Sequence, residues 1–267
     1  MLRSIFLFFI LFFLIFKLTG QSNLVIKSAD FNSRGILSFL LDGNFVARID
    51  AQKWKAPRKT LLSTDENSFA FTAIDTILTF TQDSIEKKLV IIKTLPLTDF
   101  GYFDQCAGCA PCIGLAVFVK NNDAYLLESF NPMVDILGQA GMVPSSRIQE
   151  IGQHHFAIVF KGEIFWDEGI EKWFELENNF PLFFSYKYFF AHQLLEETQN
   201  IAVIEQEARI AKTENEYYDI ELTRSTYEPE NDPNGVNKLI KKIYLNYSKE
   251  QYNSLLLFKP NYNIHER

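Results

Sequence analysis

Apolar and polar positions alternate along much of this chain with a period of two. The cleanest stretch sets Tyr218, Ile220 and Leu222 against Asp219, Glu221 and Thr223. Successive strand side chains point to opposite faces, so the pattern predicts a strand with one buried and one solvated face. Antiparallel sheets allow that arrangement and parallel sheets rarely do. The same alternation runs through Phe156, Ile158 and Phe160, with Lys161-Gly162 read as a break before residues 164–166. It returns at Phe184, Tyr186, Tyr188 and Phe190, and again where Ile204, Ala208 and Ile210 oppose Glu205, Glu207 and Arg209. After the turn Asp232-Pro-Asn-Gly235, Ile243, Leu245 and Tyr247 carry it on.

Solid apolar runs at 89–95 and 113–120 predict further strands, and Asn121-Asn122-Asp123 folds the second onto 124–130 as a hairpin. A short strand at 148–151 follows the glycine-punctuated Leu137-Gly-Gln-Ala-Gly141. Asp42-Gly43, inside the apolar segment 36–49, predicts a type I′ hairpin that sets Phe39 opposite Val46 and Leu40 opposite Phe45. Residues 69–81 are two-sided: Phe69, Phe71 and the threonines favour a strand, while Ile74, Ile77, Leu78 and Thr81 sit at helical spacing and predict a short helix. Residues 52–67 are polar, carry Pro57, Arg58 and Lys59, and read as a loop or weak boundary. The expectation is a mainly β fold: an antiparallel meander or sandwich-like sheet with one or two short helices. Residues 21–267 would form a single β-rich domain.

The first residues depart from this pattern. Arg3 precedes an apolar run from Ile5 to Phe16, and Lys17-Leu-Thr-Gly-Gln21 follows it. A charged start, a short apolar stretch and a small residue at the cut are the parts of a secretory signal peptide. The run is shorter than the roughly 20 apolar residues that span a bilayer. Residues 1–20 are therefore expected to be a leader, and the mature chain to be secreted or periplasmic with no stable transmembrane anchor.

Charge narrows the partners. The chain has 26 Lys and Arg against 33 Asp and Glu, a formal net charge of −7. Losing Arg3 and Lys17 with the leader makes it two units more negative. Nucleic-acid binders carry a basic footprint, and here the densest cluster is Lys238, Lys241 and Lys242. Nucleic acid is excluded as an expected partner; a protein, a glycan or a small apolar ligand fits better.

All three cysteines lie in Cys106-Ala-Gly-Cys109-Ala-Pro-Cys112. Export favours a local disulfide with one spare thiol. A thioredoxin-type reading of Cys109-Ala-Pro-Cys112 needs a helix beginning at the first Cys, and 113–119 reads as a strand. A Cys3His zinc site would need His154, His155 or His192 to close it. No cofactor is expected otherwise. The segment Cys106-x-x-Cys109-Ala-Pro followed by Ile113-Gly and Phe118 resembles a loose group of uncharacterised secreted bacterial proteins. Gly138, Gly141, Ile151-Gly152 and Phe156 extend the likeness, which covers residues 89–166. Ala107 replaces a His of that group, and Cys112 is additional. The resemblance implies export from a bacterium and a β-rich domain, and no activity.

A second cluster sets Glu163, Asp167, Glu168, Glu171, Glu175 and Glu177 around Trp166 and Trp173. Carboxylates beside aromatics suit a glycan-cleaving site when two acids stand at a fixed separation, but a solvated acidic turn explains them with less. The reading that fits best is an exported, non-enzymatic binding or envelope-associated β-domain, ahead of a thiol- or metal-dependent protein and a carboxylate-dependent hydrolase. Expressed with its leader in a bacterial host, the chain should appear outside the cytoplasm. N-terminal sequencing should place its first residue within a few positions of Gln21, and an intact Met1 in the cytosol would contradict that.

Overall fold

The computed structural model describes residues 25–55, 69–95, 110–165, 168–193, 201–227 and 239–245. They form two seven-stranded antiparallel sheets. The first contains β1 (Val25–Lys27), β2 (Gly43–Val46), β3 (Ala51–Trp54), β4 (Ala70–Gln82), β5 (Ile85–Leu95), β6 (Cys112–Asn121) and β7 (Ala124–Ile136). Its order is β1-β7-β6-β5-β4-β3-β2, so only β1 leaves the meander, to pair with β7. The second sheet is a plain meander of β8 (Ser145–Gly152), β9 (His155–Phe165), β10 (Glu168–Glu175), β11 (Leu182–Gln193), β12 (Ile201–Ala211), β13 (Asp219–Tyr227) and β14 (Leu239–Leu245). One helix, α1 (Ser33–Leu40), and two short 3-10 turns complete the described elements. The mainly β, antiparallel expectation holds. None of the described helices is long and apolar enough to cross a membrane.

Three local expectations are corrected. Residues 36–41 are not the first arm of a hairpin. Asn32 caps α1 by accepting the Gly35 N–H at 3.0 Å, and Ile36, Leu37 and Leu41 are buried against the first sheet. The cap and the 3.6-residue spacing of those side chains outweigh the Asp42-Gly43 turn signal. Gly35 is required there, because a Cβ would lie 1.9 Å from the Asp30 carbonyl oxygen. Residues 70–82 are a strand, not a helix. A bulge between Ile74 and Thr76 adds one residue and switches the buried face. Ala70 and Ile74 pack on the α1 side, whereas Leu78 and Phe80 pack on the opposite side. That phase change imitates helical spacing. Finally, Gly162 does not end its strand: β9 runs through it to Phe165, paired with Ile170. A Cβ at Gly162 would lie 2.7 Å from Pro144, so close packing selects this glycine. The polar segment from residue 52 also begins as strand β3, and residues 56–68 lie outside the described residues.

The hairpin at Asn122-Asp123 forms as expected, with Asn121 paired to Ala124 and Asn122 at φ +52°. Asp83 and Ser84, both at positive φ, make the equivalent turn between β4 and β5.

Among the described residues, three apolar clusters build the interior. Leu89, Ile91, Ile113, Leu115 and Val117 of the first sheet meet Ile158, Phe160 and Phe174 of the second. The other face of the first sheet, including Val90, Ile92, Ala116 and Phe118, is covered by α1. The second sheet curls, so that Ile220 and Leu222 of β13 pack over Ala157, Val159 and Trp173 of β9 and β10. Backbone bonds fasten the curl: the Tyr218 N–H donates to the Ile151 carbonyl at 2.8 Å, and the Gln153 N–H to the Glu216 carbonyl at 2.8 Å. Phe160 is 2 % exposed between the sheets, while Ile240 on β14 is 61 % exposed. Phe160→Ala should cost about 3–5 kcal/mol in urea denaturation, and Ile240→Ala about 0.5 kcal/mol or less. Equal losses would contradict this assignment of the seam.

Candidate functional site

Among the described residues, the most concentrated chemistry lies where the two sheets meet at one end. His155 opens β9 directly after the Gln153-His154 turn, in which His154 adopts φ +67°. Glu175 closes the adjacent β10. Beyond it the chain turns through Asn178, Asn179 and Phe180, all at positive φ, with the Phe180 N–H donating to the Glu177 carbonyl at 3.1 Å. A phenylalanine resists that conformation; here its ring is buried in the intersheet core, which holds the turn and brings Glu177 back beside Glu175. Tyr217 arrives from the segment just before β13, bridged to Gly152. It can approach because Gly152 has no side chain: a Cβ there would lie 2.3 Å from the Glu216 carbonyl oxygen.

These approaches converge on one imidazole. His155 Nδ1 lies 3.5 Å from Glu175 Oε1 and 3.6 Å from Glu177 Oε2. Its Nε2 lies 3.6 Å from Glu216 Oε1. The Tyr217 ring stacks on the imidazole at 4.3 Å between centroids and 20° between planes. The Tyr217 hydroxyl donates to Glu175 Oε1. From the first sheet, the Gln82 side-chain amide donates to Glu177 Oε1 at 3.0 Å and to the His154 carbonyl. Asp83 pairs with the His154 ring. Glu175 is 8 % exposed, and Nδ1 of His155 is buried with no hydrogen-bond partner. Buried polar atoms are nearly always satisfied, so such an exception calls for a physical reason.

The three donor atoms of His155, Glu175 and Glu177 all lie within 4.8 Å of one another. An imidazole nitrogen and two carboxylates can hold a cation, or share a proton, or bind a cationic group of a larger ligand. With neutral imidazole the cluster carries two negative charges in a largely enclosed place, which favours any positive occupant.

The residues singled out by sequence fall differently. Cys106 and Cys109 lie outside the described residues. Cys112 is a free, buried thiol opening β6 and paired with Thr94. Burial, with Asp135 nearby, pushes its pKa up to about 12. Thr94 sits near the far end of β5 from the Asp83 turn, about 30 Å of strand away at ~3.3 Å per residue. Cys112 therefore shares no site with His154 or His155. His192 pairs with Ala202 in β11, and its side chain lies outside the described residues. So do Trp166, Asp167 and the side chains of Glu163 and Glu168. Trp173 is core: its indole N–H donates to Glu171 Oε1 at 2.8 Å inside the curl. Glu171 is also buried, 3.1 Å from the Arg147 guanidinium. Burial, with Glu171 beside it, raises the Tyr186 phenol. That acid is an internal support, not part of an open carboxylate pair.

Gln82 and Tyr217 carried no local signal, because only tertiary packing brings them to His155. Glu175 and Glu177 were visible as members of an acidic run, and His155 as a candidate ligand, but nothing local joined them. The chain matches no protein-family model, no curated protein and no solved structure.

Cys112 provides a direct check. In the full chain carrying Cys106→Ser and Cys109→Ser, a thiol reagent at pH 8 should leave Cys112 unlabelled until denaturant is added. The native state retains this proton and the unfolded state releases it near the ordinary thiol pKa of ~8.5. Stability should therefore fall as pH rises from there toward 12. Rapid native labelling would contradict the buried placement.

Proposed function

We propose that this chain is an exported protein, periplasmic or released, that works by binding rather than by catalysis, and that its ligand seat is the His155 cluster. The observation that carries the reading is the buried Nδ1 of His155, which makes no hydrogen bond and stands between two carboxylates. Leaving a buried polar atom unsatisfied costs about 1–3 kcal/mol. A bound group that engages the nitrogen and both acids removes that cost. The leader composition and the acidic mature charge support work outside the cytoplasm.

The imidazole stands between the Glu175 and Glu177 carboxylates, with the Tyr217 phenol already donating to Glu175 and the Gln82 amide to Glu177, an arrangement able to hold a cationic group. The thiol-centred alternative draws no support from Cys112, whose pKa is pushed up to about 12, since the thiolate is the nucleophile and the metal ligand.

Native mass spectrometry of the protein recovered from its own compartment tests the reading. The wild type should carry a noncovalent adduct that His155→Ala lacks. Bare chains of equal charge distribution in both samples would overturn it.

A further inference from the structure

We infer that the seat takes one divalent transition-metal ion of the zinc type, bound by His155 Nδ1 and one carboxylate oxygen each from Glu175 and Glu177. The inference rests on the binding reading above and adds the chemical class of the ligand. It does not draw on Cys112, which is paired with the end of β5 far from the Asp83 turn.

Four features support it together. First, spacing: two ligands at about 2.0–2.1 Å from a tetrahedral zinc lie about 3.3 Å from each other. The observed separations of 3.5 and 3.6 Å from Nδ1 to the two carboxylates are close to that spacing, and the three donor atoms all lie within 4.8 Å of one another, so the two carboxylates would close on the ion. Second, the free lone pair: Nδ1 is buried and makes no hydrogen bond. If the ring proton sits on Nε2, Nδ1 presents its lone pair to the centre and the neutral imidazole loses no proton on binding. Third, the surrounding shell: metal-bound histidines direct their second N–H at a carboxylate or carbonyl. Glu216 Oε1, on an exposed side chain, stands 3.6 Å from Nε2, outside hydrogen-bond reach but near enough to close on it. Gln82 holds Glu177 through Oε1, leaving Oε2 as the oxygen nearest the imidazole. The Tyr217 hydroxyl orients Glu175 from the side. Fourth, charge and access: two carboxylates balance a dication, and the Glu177 side chain, 37 % exposed, opens the seat to solvent.

The donor set selects among ions. Calcium and magnesium take oxygen ligands and want six or more, or a near-octahedral oxygen shell. One imidazole with two carboxylates matches zinc and its neighbours instead. Three protein ligands leave the fourth place open, and a donor group of a bound molecule can fill it in place of water, which is how the ion would serve binding.

Isothermal titration calorimetry on chelator-treated mature protein provides the test, with Zn2+ as the probe and Mg2+ and Ca2+ as comparators. One Zn2+ should bind per chain, and neither comparator should compete at equal concentration. Glu177→Gln, on a partly exposed residue, should weaken Zn2+ by about 10-fold or more, and His155→Ala should abolish the one-site heat. Tyr217→Phe keeps the ring stacked on His155 and removes only the hydroxyl; it should cost about 10-fold, as loss of an outer-shell partner does. Circular dichroism of each variant separates lost binding from lost fold, and Tyr217→Phe keeps the test open if His155→Ala does not fold. Cys106→Ser with Cys109→Ser should leave the affinity unchanged. No Zn2+ heat in the wild type would overturn the inference. So would full affinity in folded Glu177→Gln and Tyr217→Phe, or loss of binding in the cysteine variant. A mass adduct dependent on His155 but accompanied by no Zn2+ heat would keep the binding reading and remove the metal.

Discussion

Strands β5 and β6 have no solvent face over most of their length. Leu89, Ile91, Ile113, Leu115 and Val117 pack toward the second sheet, while Val90, Ile92, Ala116 and Phe118 pack toward α1. Burying both faces of a strand demands a layer on each side. The short helix supplies one and the front of the curled sheet supplies the other. At roughly 25 cal/mol per Å2 of apolar surface removed from water, this doubled burial dominates the interior of the first sheet. Gly114 belongs to the same constraint: a Cβ there would lie 2.7 Å from the Pro132 carbonyl oxygen and 2.8 Å from Ile92, so two strands and a neighbouring backbone close on a position that only hydrogen can occupy.

Polar groups are placed around that frame and fasten it. Lys172 of the second sheet reaches Asp135 of the first at 2.7 Å. Gln82 crosses at the opposite end to Glu177 and the His154 carbonyl. Within the first sheet, Trp54 donates to the Thr72 hydroxyl, which also bonds Thr94, each at 2.7 Å, so a buried polar ladder is satisfied by its own members. The His155 nitrogen contrasts with these satisfied groups; like Ser129 Oγ and Thr213 Oγ1 it is buried without a hydrogen-bond partner, and what marks it is the pair of carboxylates, Glu175 and Glu177, that flank it.

Much of the fold was legible because the meander writes its faces into the sequence one strand at a time. Ile220 and Leu222 form the inner side of β13 as the alternation expects, and Tyr218, just before the strand, is buried with them. Asn122-Asp123 turns a hairpin where its residue types demand one. Local pattern and structure diverge where a nonlocal demand outweighs a local sign. The Asp42-Gly43 pair is a strong hairpin signal, yet the sheet beside it needed covering and Asn32 offered a cap. The bulge near Asp75 altered the buried face mid-strand, and no periodicity rule anticipates such a shift. The site was legible only in pieces. His155, Glu175 and Glu177 each stood out by residue type, but their meeting depends on the pairing of β9 with β10 and on a turn stabilised by the Phe180 ring.

The bare backbone at Gly152 has a kinetic consequence. It lets the chain near Glu216 and Tyr217 return to a strand more than sixty residues earlier, and contacts of such long sequence separation are slow to form. His155 can meet Glu175 as soon as one hairpin zips, but its aromatic lid and its Glu216 neighbour come only when the meander has wound full circle. The complete cluster is thus a late product of folding, and a half-wound chain would offer an imidazole and two acids without the roof that encloses them.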